Sequence, residues 1–166
     1  QTKVGIIGAG WPGAAHARGY QAAGGYELYA VADLIPARRE ELLKQFAIHK
    51  QYASAEELLD DKFIDVVSLC VPNHLHAPIT CRALSGNLAV LVDKPLAGTV
   101  ADALDIHRAA QKATVPLLVG YMSRLNTYNE AVRRLVADGA IGEPLVMNAT
   151  FLGHGADNWR NYRTSS

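Results

Sequence analysis

The chain has 166 residues, of which 49% are hydrophobic, and its 16 basic residues balance its 16 acidic ones. This length and composition suit one well-packed domain with the start of a second. The charge balance gives no electrostatic reason to expect a nucleic acid or membrane partner, and no apolar run is long enough to span a bilayer. Cys70 and Cys81 lack CxxC or histidine-rich surroundings, which predicts reduced thiols, a cytoplasmic location and no metal site.

Short apolar runs alternate with amphipathic stretches along most of the chain. This alternation predicts a parallel α/β sheet with helices on both faces, in doubly wound order. The predicted strands are Val4–Gly8, Leu28–Ala32, a short one at Tyr52, Ile64–Val71, Ala89–Val92 and Pro116–Val119. The predicted helices are Trp11–Ala23, Pro36–Phe46, a brief one after Ser54, one that follows Asn73 and stops near Gly86, one after Thr99, and Asn126–Asp138.

A glycine motif stands between the first predicted strand and the first predicted helix. Gly8, Gly10 and Gly13 fit the pattern G-x-G-x-x-G, which alone is a weak signal but is stronger at a strand–helix junction. In this pattern the three glycines allow a tight turn, close approach to a pyrophosphate and close helix packing. Trp11 and Pro12 fill the variable positions. The motif therefore predicts a dinucleotide site of the Rossmann type.

Asp33 ends the second predicted strand, twenty residues after Gly13. A carboxylate at this position can accept hydrogen bonds from the adenosine ribose hydroxyls, whereas a 2′-phosphate would meet a like charge. The cofactor predicted is therefore NAD, with NADP less favoured. Leu34 follows instead of a phosphate-binding arginine, although Arg38 and Arg39 on the next helix leave NADP open.

Two later strand ends also carry polar residues. They are Val71-Pro72-Asn73 with His76, and Asp93-Lys94-Pro95. Ligands of open α/β sheets bind beyond the carboxyl ends of the strands, so both segments are expected at the same edge as the glycine motif.

These blocks resemble, in order and spacing, the glucose–fructose oxidoreductase / inositol dehydrogenase (Gfo/Idh/MocA) family. One departure is Asp93, where the family usually has glutamate. The matching blocks are Gly8–Gly13 with His16, Asp33, Pro72-Asn73-x-x-His76 and Asp93-Lys94-Pro95. Matches into the family's second domain are Gly120-Tyr121, Arg124, Gly139–Gly142 and Asn158-Trp159-Arg160.

The resemblance implies an NAD-dependent oxidoreductase that moves a hydride between nicotinamide and a sugar, inositol or related polyol. It implies that Lys94 is catalytic, beside the nicotinamide and the reacting carbon, where an ammonium stabilises charge that grows on the substrate oxygen. The expected cofactor-binding residues are Gly8, Gly10, Trp11, Pro12, Gly13, Asp33, Val71, Pro72, Asn73, His76, Asp93 and Lys94. His16 is expected to be structural.

Residues 1–122 are predicted to form the NAD(P)-binding domain, and residues 123–166 the beginning of an incomplete α+β domain for substrate binding and dimerisation. Glu143–Leu152 is predicted to be a strand of that second sheet. The family usually supplies the proton-transferring histidine and a nearby aspartate from this domain, so the chain is expected to be an inactive part of a homo-oligomeric enzyme about twice as long.

Two other functions remain open from the residues. An NAD-dependent glycoside hydrolase of the same superfamily would oxidise its sugar transiently and return the hydride. A non-catalytic NAD-binding regulator is the other, and the presence of Lys94 argues against it, because a pure binder needs no charge beside the reacting carbon.

Overall fold

The computed structural model of the chain describes residues 1–150. Six strands form one parallel sheet in the order β3-β2-β1-β4-β5-β6. The strands are β1 (Thr2–Ile7), β2 (Tyr26–Ala32), β3 (Lys50–Tyr52), β4 (Val66–Leu69), β5 (Ala89–Val92) and β6 (Leu117–Val119). This is the doubly wound Rossmann arrangement, so the predicted fold class is confirmed.

Helices connect the strands, as right-handed crossovers of a parallel sheet require. The connecting helices are α1 (Trp11–Ala23), α2 (Pro36–Gln45), α3 (Ala55–Leu59), α4 (His76–Ser85) and α5 (Val100–Lys112), and a further helix, α6 (Thr127–Ala137), follows β6. The helices predicted after Ser54 and Thr99 are both capped, because the hydroxyls of these residues accept hydrogen bonds from the amides of Glu57 and Asp102.

The sheet is covered on both faces, which explains the nearly continuous apolar runs of its strands. Successive residues of β1 point to opposite faces: Ile6 packs with Ala17 of α1 and Leu42 of α2, while Ile7 belongs to the cluster that includes Leu58 and Ile79. Burial of each such side chain contributes about 1.5–3 kcal/mol. The two clusters therefore hold the sheet rigid beneath the loops at its edge.

The chain divides into two compact units, Gln1–Met122 and a second that begins at Ser123. Within the second unit, α6 begins after Asn126, whose side chain caps the amide of Tyr128, and Gly139 follows its end with φ 71°. Glu130 and Arg134 form an ion pair of 2.9 Å on its surface.

The helix predicted after Asn73 is present as α4, and a 3₁₀ turn at Asn73–Leu75 precedes it. Two local predictions differ from the structure. The strand predicted at Ile64–Val71 is limited to Val66–Leu69. No strand forms over residues 143–150 of the one predicted at Glu143–Leu152, because these residues pair with no other strand among those the structure describes. Phe151, Leu152, Asn158, Trp159 and Arg160 lie outside the described residues.

Across residues 1–150, none of the helices has both the length and the apolar character needed to cross a membrane.

Candidate functional site: the carboxyl edge of the sheet

The turn from β1 into α1 has two positions where only glycine fits. Gly8 has φ +97°, and a Cβ there would lie 2.3 Å from the carbonyl oxygen of Cys70. A Cβ on Gly13 would lie 2.1 Å from the carbonyl oxygen of Gly8. Both positions match the roles predicted for the motif, since one makes the tight turn and the other lets the helix pack closely on the strand.

Gly10 differs from these two glycines because protein atoms leave the space beside it open. The nearest atom to a Cβ there would be Cδ of Pro12, at 3.7 Å. Gly10 is also the N-cap of α1, and no side chain caps the helix. The amides of Trp11 and Gly13 therefore begin a thirteen-residue helix without a side-chain acceptor. An uncapped helix start beside a side-chain-free opening suits a diphosphate, so these residues fit the pyrophosphate of NAD.

Asp33 connects the end of β2 with the glycine turn. Its Oδ2 accepts a hydrogen bond of 2.8 Å from the amide of Ala9, and its Oδ1 accepts one of 2.8 Å from the amide of Ile35. An ionised carboxylate has about four lone-pair positions, so acceptor capacity remains for two ribose hydroxyls. The carboxylate is thus held in place before any cofactor binds.

The two arginines that left NADP open lie in different surroundings. Arg39 donates to the backbone oxygen of Asp33 and to Oε1 of Gln51. Arg38 lines an open cleft of about 460 Å³ between α1 and α2, together with Trp11 and Arg18. Trp11 is 78% exposed, which leaves its ring available as a surface for a ligand at the glycine turn.

The segments after β4 and β5 lie next to each other, because Leu69 and Val92 are paired in the sheet. Val71 is partly buried, whereas the side chains of Pro72, Asn73 and Lys94 are exposed. The Lys94–Pro95 peptide is cis. These exposed residues follow parallel strands and therefore share one edge with the glycine turn.

The carboxylate of Asp93 accepts a hydrogen bond within its own loop. Its Oδ1 accepts a hydrogen bond of 2.8 Å from the amide of Lys94. A Cβ on Gly120, at the end of β6, would lie 3.4 Å from the same oxygen. The Asp93 carboxylate thus occupies the turn that precedes Lys94 and holds its backbone amide.

His76 is 1% exposed and begins α4. Its Nδ1 lies 2.8 Å from the carbonyl oxygen of Pro95, and its Nε2 lies 2.9 Å from that of Val71. The buried ring thus contacts the loops after β4 and β5 from their interior side.

One residue near the site had no signal in the sequence. Ser68 lies in the apolar run of β4, and its buried hydroxyl is 2.6 Å from Nδ1 of His16 on α1. Burial lowers the pKa of His16, and the nearby Asp93 carboxylate opposes that shift. Burial likewise raises the pKa of the Cys70 thiol, a free cysteine one strand position beyond Leu69. The sequence could not single out Ser68, because its contact with His16 becomes visible only in the folded chain.

Together these features define a dinucleotide-binding Rossmann domain whose ligand edge lies at the ends of β1, β2, β4 and β5. The family described as "Oxidoreductase family, NAD-binding Rossmann fold" (GFO_IDH_MocA) matches residues 2–121. The chain belongs to this family and carries its NAD-binding domain, which confirms the resemblance and the predicted cofactor.

Relatives of known activity are similar over most of the chain. An inositol 2-dehydrogenase of Salmonella typhimurium is 33% identical over 149 residues, which are 88% of this chain and 44% of the relative. A 1,5-anhydro-D-fructose reductase of Ensifer adhaerens is 31% identical over 162 residues, 96% of this chain and 49% of the relative. The chain thus spans less than half the length of these relatives.

Solved structures agree with this assignment. Myo-inositol dehydrogenase from Lactobacillus casei, in complex with NAD(H) and myo-inositol, has a TM-score of 0.80 and 30% identity, covering 87% of this chain and 43% of that one. A levoglucosan dehydrogenase in complex with NADH and L-sorbose has a TM-score of 0.81 and 26% identity, covering 86% of this chain and 40% of that one.

The close packing at Gly13 predicts an unequal response of two glycines on one helix. Gly13→Ala is expected to lower the free energy of unfolding by about 1–3 kcal/mol, because the new Cβ meets a backbone oxygen. Gly19→Ala is the matched control, since nothing lies within 4 Å of a Cβ there. It is expected to raise that free energy by about 0.4–1 kcal/mol. Urea unfolding measures both, and equal changes would contradict the packing described.

The lowered pKa of His16 predicts a pH-dependent contribution to stability. The unfolded chain takes up a proton near pH 6.5, whereas folded His16 does so only at lower pH. Its stabilising contribution is therefore complete above about pH 6.5 and is lost as the pH falls towards the folded value. Between about pH 7.5 and about pH 5.5, the wild type should lose more unfolding free energy than His16→Gln. A loss of the same size in both proteins would refute this prediction.

Proposed function

We propose that this chain is the cofactor-binding part of an NAD-dependent dehydrogenase that acts on a sugar, inositol or related polyol. The observation that carries the proposal is the shared edge: the glycine turn, Asp33 and the exposed Lys94 all follow parallel strands of one sheet. The names of the relatives, two of them an inositol dehydrogenase and a sugar reductase, support the substrate class.

The order of the strands supports the placement of the cofactor. Neighbouring strands are about 4.8 Å apart, so β2 and β5 are separated by about 14 Å across β1 and β4. A dinucleotide extended along this edge has its adenosine ribose at Asp33, its diphosphate at Gly10 and its nicotinamide at the ends of β4 and β5. The neighbours of the nicotinamide are then Pro72, Asn73 and Lys94.

NAD, when bound, supplies the carbon that accepts or returns the hydride. The residues of this chain orient the reactants and stabilise charge. The ammonium of Lys94 donates a hydrogen bond to the substrate oxygen, on which negative charge grows as the hydroxyl loses its proton. Asp93 fixes the backbone amide of Lys94, and so the direction from which the ammonium approaches.

The remaining parts of the proposal concern the longer protein. We propose that residues 123–166 begin a substrate-binding and dimerisation domain, and that this domain supplies the residues that exchange the hydroxyl proton. We also propose a homo-oligomer in the cytoplasm. The free thiols of Cys70 and Cys81 support a reducing location, and the balanced charge favours a small-molecule partner over a nucleic acid.

Asp33 provides the test of cofactor choice. Calorimetric titration of the chain should show tighter binding of NAD than of NADP. Asp33→Ala should weaken NAD binding by about tenfold or more, since charged hydrogen bonds to the ribose are lost, while NADP binding falls less because a repulsive charge is removed. Asp105→Ala, on the surface of α5, is the control. An unchanged ratio of the two affinities would rule out ribose recognition by Asp33.

Lys94 provides the test of the reaction. The protein expressed from its complete reading frame is mixed with NAD and a panel of inositols and sugars, and the absorbance of NADH is followed. Lys94→Ala should lower the rate by about 10²–10³-fold while the affinity for NAD stays within about threefold. Lys112→Ala, on the exposed end of α5, should match the wild type. Cleavage of a nitrophenyl glycoside without a net change in NADH would instead identify the hydrolase.

A further inference from the structure

His76 presents both of its ring nitrogens to acceptors that cannot donate. The partners are the backbone oxygens of Pro95, 2.8 Å from Nδ1, and of Val71, 2.9 Å from Nε2. A neutral imidazole has a single N–H, so it can donate to only one carbonyl. Both short contacts are hydrogen bonds only if each nitrogen carries a proton.

The two carbonyls belong to the two loops that present the nicotinamide side of the site. Val71 immediately precedes Pro72-Asn73, and Pro95 immediately follows Lys94. The backbone ladder between β4 and β5 ends where the amide of Asp93 donates to Leu69, at 2.9 Å. Beyond that bond, the hydrogen bonds that join these two loops within residues 1–150 are those of His76.

Burial makes this pair of contacts consequential. The ring is 1% exposed, so water cannot replace a partner that its nitrogens lose, and a buried polar group without a partner is costly. The ring is also fixed by its place at the start of α4. A substitution at this position therefore removes contacts to both loops rather than altering an exposed surface.

We infer that His76 is a positioning residue that donates from both ring nitrogens and so holds the Lys94–Pro95 loop against the Val71–Asn73 loop. Its consequence for the cofactor rests on the proposed function: the spacing sets where Lys94 stands relative to the nicotinamide. The hydrogen bonding itself does not depend on that function.

The ring nitrogens are tested directly by nitrogen-15 NMR of the histidine side chains in the wild-type chain, with His76→Phe to assign the signals. The expected spectrum shows two protonated nitrogens for His76, with ring protons protected from exchange with water. A spectrum with one protonated and one bare nitrogen overturns the inference. This measurement requires no cofactor.

Two variants separate hydrogen bonding from packing. His76→Phe fills the same space without a donor, whereas His76→Gln retains N–H groups that reach one carbonyl. Exchange of the Asp93 and Lys94 amides, which are hydrogen-bonded in the loop, should quicken about tenfold in His76→Phe and less in His76→Gln, and NAD affinity should fall in the same order. His107→Gln, exposed on α5, is the control and should match the wild type.

The outcomes distinguish the two proposals. If the wild type fails to bind NAD, the proposed function is wrong, and the ring signals and amide exchange still decide the role of His76. If the wild type binds NAD but His76→Phe and His76→Gln behave alike in exchange and affinity, the ring acts by packing alone and the inference is wrong.

Discussion

The turn from β1 into α1 leaves no room for a side chain at Gly8 or Gly13, because backbone oxygens stand where their Cβ atoms would be. This crowding brings the start of α1 directly against the ends of β1 and β4. The amides of the first helical turn consequently point into the opening beside Gly10. The proposed site for the diphosphate is therefore built from backbone, and its position follows from how closely the helix and the two strands approach each other.

The neighbouring residues depend on the same arrangement. Asp33 accepts a hydrogen bond from Ala9, so the carboxylate and the glycine turn hold each other in register. On the other side of β1, Ser68 and His16 join β4 to α1 through a buried contact of 2.6 Å. The helix whose first amides we propose as the diphosphate site is thus tied to strands on both sides of the central one.

The side proposed for the nicotinamide is supported differently. Lys94 is exposed at the end of β5, and its backbone amide is fixed by Asp93. Beneath it, His76 contacts the loops after both β4 and β5. The adenosine half of the edge is held chiefly by backbone packing, while the other half depends on side chains.

Local patterns were sufficient to predict the strands, the helices and the family, because each signal lies within a few neighbouring residues. Pro36 begins α2, Ser54 and Thr99 cap their helices, and the glycine motif with Asp33 needs only its spacing. The strand predicted at Glu143–Leu152 failed over residues 143–150, because a strand also needs a partner that the local pattern does not specify.

The buried side-chain contacts of the site depend on long-range neighbours that only the tertiary structure brings together. The pairing of Ser68 with His16 joins residues 52 positions apart, and the contact of His76 with Pro95 spans 19. Sequence marked His76 as part of a motif, but only the fold shows that its ring is buried between two carbonyls. Hydrogen bonds of this kind depend on which strands become neighbours, and that is set by the packing of the whole sheet rather than by any one segment.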